Sequence, residues 1–389
     1  MKRLSRATLF TFSLLALALS KPLPSLAFTS LDLDASNDAL ASLAVPLKML
    51  RFNSQEALNP SIDSGFSSQD NALTTLLSAT PNLYVVGSFF ATLSRYDSTT
   101  GALLQTSSIG GGPEAATIGG TNQDIFVSSQ SQITTINRYD RNGVFLGVFA
   151  TDQNGEALLS PGSLKFSPIS SNLLVSNQGL GSPGFISQFD KDTGNFLGIF
   201  ASNGSSFIPT GITFGADNNL YVGDSATKNI LRFNGTTGAL IGTFASNSNL
   251  ISPGDLAFGP NGNLFVGNST GNLTGNILQF NGTTGAFINT FTSGTNLGTP
   301  SSLAFGLDNN LYVADFTNNK IVQFDGTSGA FIKDFATNTS GNALDSPVAV
   351  IFAPAPIPEP IVGFGFPGLL LAGAYLKSKK NRTEKQKAL

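Results

Sequence analysis

The chain of 389 residues contains no cysteine, no histidine and no tryptophan, and only 12% of its residues are charged. Each absence removes a class of chemistry. Without cysteine there is no disulfide framework, no thiolate metal site and no thiol nucleophile. Without histidine there is no Ser-His-Asp or Cys-His triad and no imidazole base or ligand. A charge fraction about half that of ordinary soluble domains argues against a nucleic-acid binder and against a charge-expanded disordered chain. What is abundant is apolar and small: 41% hydrophobic residues, 32 Phe and 42 Gly.

The two ends differ from the body. Residues 1–27 read as a secretory signal. Lys2, Arg3 and Arg6 precede the apolar run Leu9–Leu19, and Ser25-Leu26-Ala27 places small residues around a cleavage site after Ala27. The run is shorter than the roughly 20 residues a membrane span needs. At the other end, Pro358-Glu359-Pro360 is followed by the uncharged segment 361–376 and then by Lys377, Lys379, Lys380 and Arg382 within the tail 377–389. These residues resemble the PEP-CTERM sorting signal of Gram-negative bacteria, a Pro-Glu-Pro motif, a short hydrophobic helix and a basic cluster. The resemblance covers 358–389. It implies recognition by an exosortase-type membrane protease, transient anchoring through 361–376, and release to the cell surface or extracellular matrix. The tail departs from the pattern in running past the basic cluster and including Glu384. The alternative is a permanent anchor, with the basic residues on the cytoplasmic side. Once both ends are set aside, the body holds 11 Lys+Arg against 22 Asp+Glu, a net charge of −11. That surface suits solubility and cations and disfavours polyanions.

The body, 28–353, is a repeat. Its clearest copies are 209–245, 253–291 and 300–336, with looser ones from Pro113 and Pro161 and a degenerate one near Ala72. Each unit has four apolar runs of four to six residues separated by Asn, Asp and Gly turns; in one copy the runs are Ser302–Phe305, Asn310–Val313, Lys320–Phe324 and Ala330–Phe335. No helical run interrupts them. Four antiparallel strands per unit make a β-propeller blade, so the fold class is all-β. Equivalent first-strand ends fall at Leu77, Ile118, Phe166, Phe214, Phe258, Phe305 and Phe352, a spacing of about 46 residues. The expectation is seven blades, with six as the alternative. The last blade would join the C-terminal inner strand Pro347–Phe352 to N-terminal strands at Ala39–Val45 and Met49–Asn53. The phrases Asn310–Asp315 with Asn319–Phe324, and Asn219–Asp224 with Asn229–Phe233, resemble NHL-type propeller repeats. The resemblance implies architecture and not function.

Most Phe recur in phase, as at Phe214, Phe258 and Phe305, which predicts a filling between blades rather than a binding platform. The Asn-Gly-Thr-Thr-Gly segments at 234–238 and 281–285 match a glycosylation acceptor but fit a tight hairpin turn without it. Ile109–Pro113 is Gly-rich but leads into a strand, so it reads as a blade-to-blade loop. First-strand starts (Glu114, Asp255) and second-strand ends (Asn177, Asp224, Asn268, Asp315) share one face of a blade, so the fold would carry these oxygens to one mouth. No catalytic set or cofactor motif is evident. A hard cation such as Ca²⁺ takes oxygen ligands and needs no His. The candidate metal residues are therefore Glu114, Asp224, Asp255 and Asp315. Gluconolactonase-like propeller enzymes gather carboxylates and Asn around one divalent ion, which makes a metal-dependent lactonase-like hydrolase the alternative. Virginiamycin-lyase-like propellers need a His base that is missing here. The main expectation is an exported, non-catalytic binding or structural protein. Its partners would be exopolysaccharide or surface proteins met through loops on one face, with no nucleic acid.

Overall fold

The computed structural model describes residues 81–353, apart from 121, 131–132, 153–156, 180, 293–296 and 339–343. The expected signal with Ala27, the strands at 39–53, and the Pro358-Glu359-Pro360 motif with its tail lie outside the described residues. Among those described, no helix is long and apolar enough to cross a membrane.

Six four-stranded antiparallel sheets make up the described body. Blade 1 holds β1 (Asn82–Gly87), β2 (Thr92–Asp97) and β3 (Leu103–Ser108). Blade 2 is β4 (Pro113–Gly119), β5 (Asp124–Ser129), β6 (Thr135–Tyr139) and β7 (Phe145–Thr151). Blade 3 is β8 (Pro161–Phe166), β9 (Leu173–Asn177), β10 (Phe185–Phe189) and β11 (Phe196–Ala201). Blade 4 is β12 (Pro209–Phe214), β13 (Leu220–Asp224), β14 (Asn229–Phe233) and β15 (Leu240–Ser246). Blade 5 is β16 (Pro253–Phe258), β17 (Leu264–Gly271), β18 (Thr274–Phe280) and β19 (Phe287–Thr292). Blade 6 is β20 (Pro300–Phe305), β21 (Leu311–Asp315), β22 (Lys320–Phe324) and β23 (Phe331–Thr337). The last strand, β24 (Pro347–Ala353), pairs with β1 and so serves as the inner strand of blade 1.

This arrangement corrects the expected count of seven. The spacing makes Leu77 and Phe352 the first-strand ends of two different blades, and Leu77 lies outside the described residues. The inner position beside β1 is filled by β24, with Leu83 opposite Phe352, so the degenerate first unit and the orphan last strand are one blade. The second strand beside Pro347–Ala353 is Asn82–Gly87 rather than the expected 39–45. On its other sides β24 packs against β4 and β20, the inner strands of blades 2 and 6.

Burial follows strand position. The second strands β9, β13 and β21 are buried at every residue, because blades cover both of their faces. Every inner strand from β4 onward begins with Pro, at 113, 161, 209, 253, 300 and 347. A strand whose inner edge has no ladder partner tolerates the missing N–H.

In-phase aromatics join successive blades. Phe126 meets Phe149 of its own blade and Phe166 of the next, with ring centroids 4.9 and 5.0 Å apart. Tyr221, Phe265 and Tyr312 repeat the trio with Phe258, Phe305 and Phe352 of the following blade. All these pairs are edge-to-face, the geometry favoured by the ring quadrupole. These aromatics are inter-blade core, as their phase predicts.

The hairpins between third and fourth strands carry a second seam. Asn234 Oδ1 accepts the N–H groups of Thr236 and Thr237 at 3.0 and 2.9 Å, and Asn281 does the same for Thr283 and Thr284. The turn ends at Gly238, with φ +72°. A Cβ there would lie 1.7 Å from the Phe200 carbonyl oxygen of the preceding blade. Gly194, Gly285 and Gly329 approach Phe149, Phe244 and Phe291 in the same way. The glycine thus serves turn geometry and blade stacking together.

Candidate functional site

First strands begin, and second strands end, on one face of the ring, here called the mouth face. The structure confirms this placement: Pro209 stands opposite Asp224, Pro253 opposite Asn268 and Pro300 opposite Asp315. The oxygens expected at the mouth are therefore near it, but most are committed to the fold.

The second-strand ends are completely buried at Asn177, Asp224, Asn268 and Asp315. Each accepts a backbone N–H from the segment entering its own blade. Asn177 Oδ1 accepts from Leu159 at 2.8 Å, and Asp224 Oδ1 from Ile208 at 3.1 Å. Asn268 Oδ1 accepts from Ile251 at 2.8 Å, and Asp315 Oδ2 from Gly298 at 2.8 Å. The Thr227 hydroxyl donates to the remaining oxygen of Asp224, and the Asn318 backbone N–H to that of Asp315. These groups satisfy an otherwise orphaned entry strand and close the corner of the blade.

Asp255 has a different task. Its Oδ2 accepts from the Ser302 hydroxyl at 3.0 Å and from the Leu303 N–H at 2.9 Å, both in blade 6. Ser302 Oγ in turn accepts the Val350 N–H of blade 1 at 3.2 Å. Ser163 makes the equivalent bond to Ile212. The third residue of the inner strand therefore staples its blade to the next. At the same position in blade 4 stands Gly211, where a Cβ would lie 2.4 Å from the Gly254 carbonyl oxygen, so the backbones themselves touch.

Glu114 is the exception. It is the second residue of β4 and is exposed. Its carboxylate makes no hydrogen bond or ion pair among the described residues. Neighbouring strands still desolvate the carboxyl enough to raise its pKa above the usual value. Among the described residues no group of three or more His, Cys, Asp or Glu is set to hold a metal. Glu114, Asp224, Asp255 and Asp315 share a face but do not converge as one ligand set.

The mouth face carries something the sequence reading passed over. Its loops between second and third strands end in large apolar side chains. Phe89 and Phe90, between β1 and β2, are 76% and 60% exposed, and their rings stack edge to face at 5.2 Å. Leu273, at the tip of the long β17–β18 hairpin, is 70% exposed. Phe316, just past β21, is 39% exposed. They belong to blades 5, 6 and 1, which are consecutive around the ring. Their signal in the sequence is an aromatic or Leu where blade 4 has Ser225, Ala226 and Thr227 in the same turn.

The fold has solved relatives in structure. No protein-family profile and no curated protein sequence matches the chain. The Nidogen/Laminin complex contains a chain with a TM-score of 0.55 and 15% identity, the match covering 70% of this chain and 98% of that one. A protein of unknown function from Bacteroides caccae gives 0.53 at 15% identity, covering 70% and 98%. At this identity the likeness is one of fold. The periplasmic gluconolactonase PpgL of Pseudomonas aeruginosa is similar at 13% identity with a TM-score of 0.49, covering 71% of this chain and 99% of that one.

Proposed function

We propose that this chain is an exported, surface-sorted propeller that binds a partner through its mouth-face loops and carries out no chemistry. The observation that carries the reading is the set of exposed apolar tips Phe89, Phe90, Leu273 and Phe316 on the mouth-face loops of three consecutive blades. Large side chains held in water at loop tips cost solubility without adding to the core, and loops that carry them are favoured places for interaction sites. The exits from the described body support it. β24 ends at Ala353, opposite Asn82 where β1 begins, and that end of the blade is the face away from the mouth. A tail anchored through 361–376, as the PEP-CTERM resemblance implies before exosortase-type processing, would turn the apolar tips outward. Exopolysaccharide or a surface protein is the partner class this orientation favours.

A second reading is the metal-dependent lactonase-like hydrolase. Glu114 favours it, as an unpartnered carboxyl of raised pKa at the mouth is suited to proton transfer. Ca²⁺ or Zn²⁺ would then be required. One experiment separates the two. The purified full chain is assayed for lactone hydrolysis with EDTA and with added Ca²⁺ or Zn²⁺, and for retention on immobilised matrix polysaccharide and surface-protein extract. The binding reading expects no metal-dependent turnover, and retention that falls in the Phe89→Ser/Phe90→Ser variant. Turnover lost with EDTA and in Glu114→Gln would establish the hydrolase.

A further inference from the structure

The outermost strands reveal an unexpected surface. The motif Phe-Leu-Gly-Val-Phe of β7 and Phe-Leu-Gly-Ile-Phe of β11 reads like core strand, yet both lie on the rim. Phe145, Leu146 and Val148 on β7, with Phe196, Leu197 and Ile199 on β11, are each between 40% and 59% exposed. Neither strand contains a charged residue. The other rim strands expose fewer apolar side chains: Leu104 on β3, Leu240 and Ile241 on β15, Ile288 on β19, and Phe331 and Ile332 on β23, which also intersperses Lys333 and Asp334.

The two strands form one patch. Val148 and Phe196 line the same cleft of about 410 Å³, at the seam of blades 2 and 3. The carboxylate in that cleft, Asp152, is occupied by the Ala157 N–H at 3.1 Å.

We propose that this rim patch is a self-association surface, and that its occupant is a second copy of the chain. The area fits. A fully exposed large side chain offers about 150–250 Å², so six at half exposure offer roughly 600 Å² per copy. Two copies would then bury roughly 1,200 Å², the lower bound for a specific interface. The roughly 600 Å² per copy is also the upper limit of the patch a typical monomer leaves open. The composition fits as well. The six exposed side chains carry no charge, and the one carboxylate of the cleft, Asp152, is turned to the Ala157 N–H, so a charged partner finds little to pair with and the patch is complementary to itself. It is densest in one sector of the ring, with three exposed apolar side chains on each of β7 and β11 against two or fewer on each of β3, β15, β19 and β23, so a two-fold contact closes rather than propagating. Register shifts interrupt the pairing of both strands with their inner neighbours. Such bulges discourage continuous strand addition, so the contact is side-chain packing across the cleft. The body's net charge of −11 opposes it, and salt should therefore strengthen it.

The test co-expresses two differently tagged copies of the full chain and measures how much of the second tag is recovered with the first. The expected result is recovery of the second copy, rising with NaCl between 0.05 and 0.5 M. Val148→Lys/Ile199→Lys should lower recovery about tenfold, the equivalent of about 1.4 kcal/mol. Ile241→Lys/Ile332→Lys, on rim strands of blades 4 and 6, should not lower it. Unchanged thermal melts of both variants would show that folding is intact; should the first pair misfold, the milder Val148→Ser/Ile199→Ser is used in its place. No recovery of the wild-type pair, equal recovery after the blade 2 and 3 substitutions, or recovery that falls with salt would each overturn the proposal.

Discussion

Asp255 tests whether the mouth oxygens serve the fold or an ion. In Asp255→Ala the Leu303 N–H loses its acceptor at 2.9 Å and the Ser302 hydroxyl its acceptor at 3.0 Å. A hydrogen bond to a charged group is worth about 1.5–3 kcal/mol, and a buried donor left unpaired costs about 1–3 kcal/mol. Ser302 can rotate to another acceptor, but the Leu303 N–H is fixed in β20. The expected loss is therefore about 3 kcal/mol. For a body of this size that corresponds to roughly 6–12 °C in Tm, taking about 2–4 °C per kcal/mol. Urea unfolding followed by tyrosine fluorescence, paired with calorimetry, reads both. Asp255→Asn keeps one oxygen acceptor and should recover about half. Addition of EDTA or Ca²⁺ should leave the difference between wild type and variant unchanged, because the oxygens bind backbone and hydroxyl. The staple argument fails if Asp255→Ala costs under 0.5 kcal/mol, or if its cost appears only when Ca²⁺ is present.

Three further outcomes follow from the geometry. Gly238→Ala places a methyl group against the Phe200 carbonyl oxygen at φ +72°, whereas Gly242→Ala, at φ +149°, meets nothing within 4 Å; the first should cost about 2–4 kcal/mol and the second about 1, by denaturant titration. Phe265, fully buried between Phe291 and Phe305, should lose about 3–5 kcal/mol as Phe265→Ala in the same assay. Burial raises the phenols of Tyr84, Tyr139, Tyr221 and Tyr312, and that of Tyr96 to about 12. A phenol whose pKa is higher folded than unfolded contributes stability that is complete below pH 10 and is lost as pH rises through the folded value. The protein should accordingly unfold between pH 10 and 12, losing up to about 1.4 kcal/mol per pH unit for each buried phenol. Stability independent of pH across that window would show that these phenols are open to solvent.

Much of the architecture was legible because it is periodic. Short apolar runs, Asn and Asp turns, and Phe at constant phase specify four-stranded blades, and each recurs often enough to be read against its neighbours. The count failed where periodicity failed: Leu77 falls at the spacing of a first-strand end, and only pairing with β1 reveals that Pro347–Ala353 is the inner strand of that blade. The mouth oxygens were legible as a set sharing a face, because strand direction alone puts them there. Their roles were not. Whether Asp224 faces an ion or the Ile208 N–H, and whether Asp255 reaches into the channel or into blade 6, depends on neighbours some 16 to 48 residues away in the chain.

The sequence by itself determined the all-β repeat, the inter-blade aromatics and the turn chemistry, because these rest on local spacing and side-chain type. Tertiary structure alone decided the six blades, the staple at Asp255, the apolar tips of the mouth and the bare rim of β7 and β11. A hydrophobic run reads identically whether blades cover it or water does, and only its radial position in the ring distinguishes core from surface.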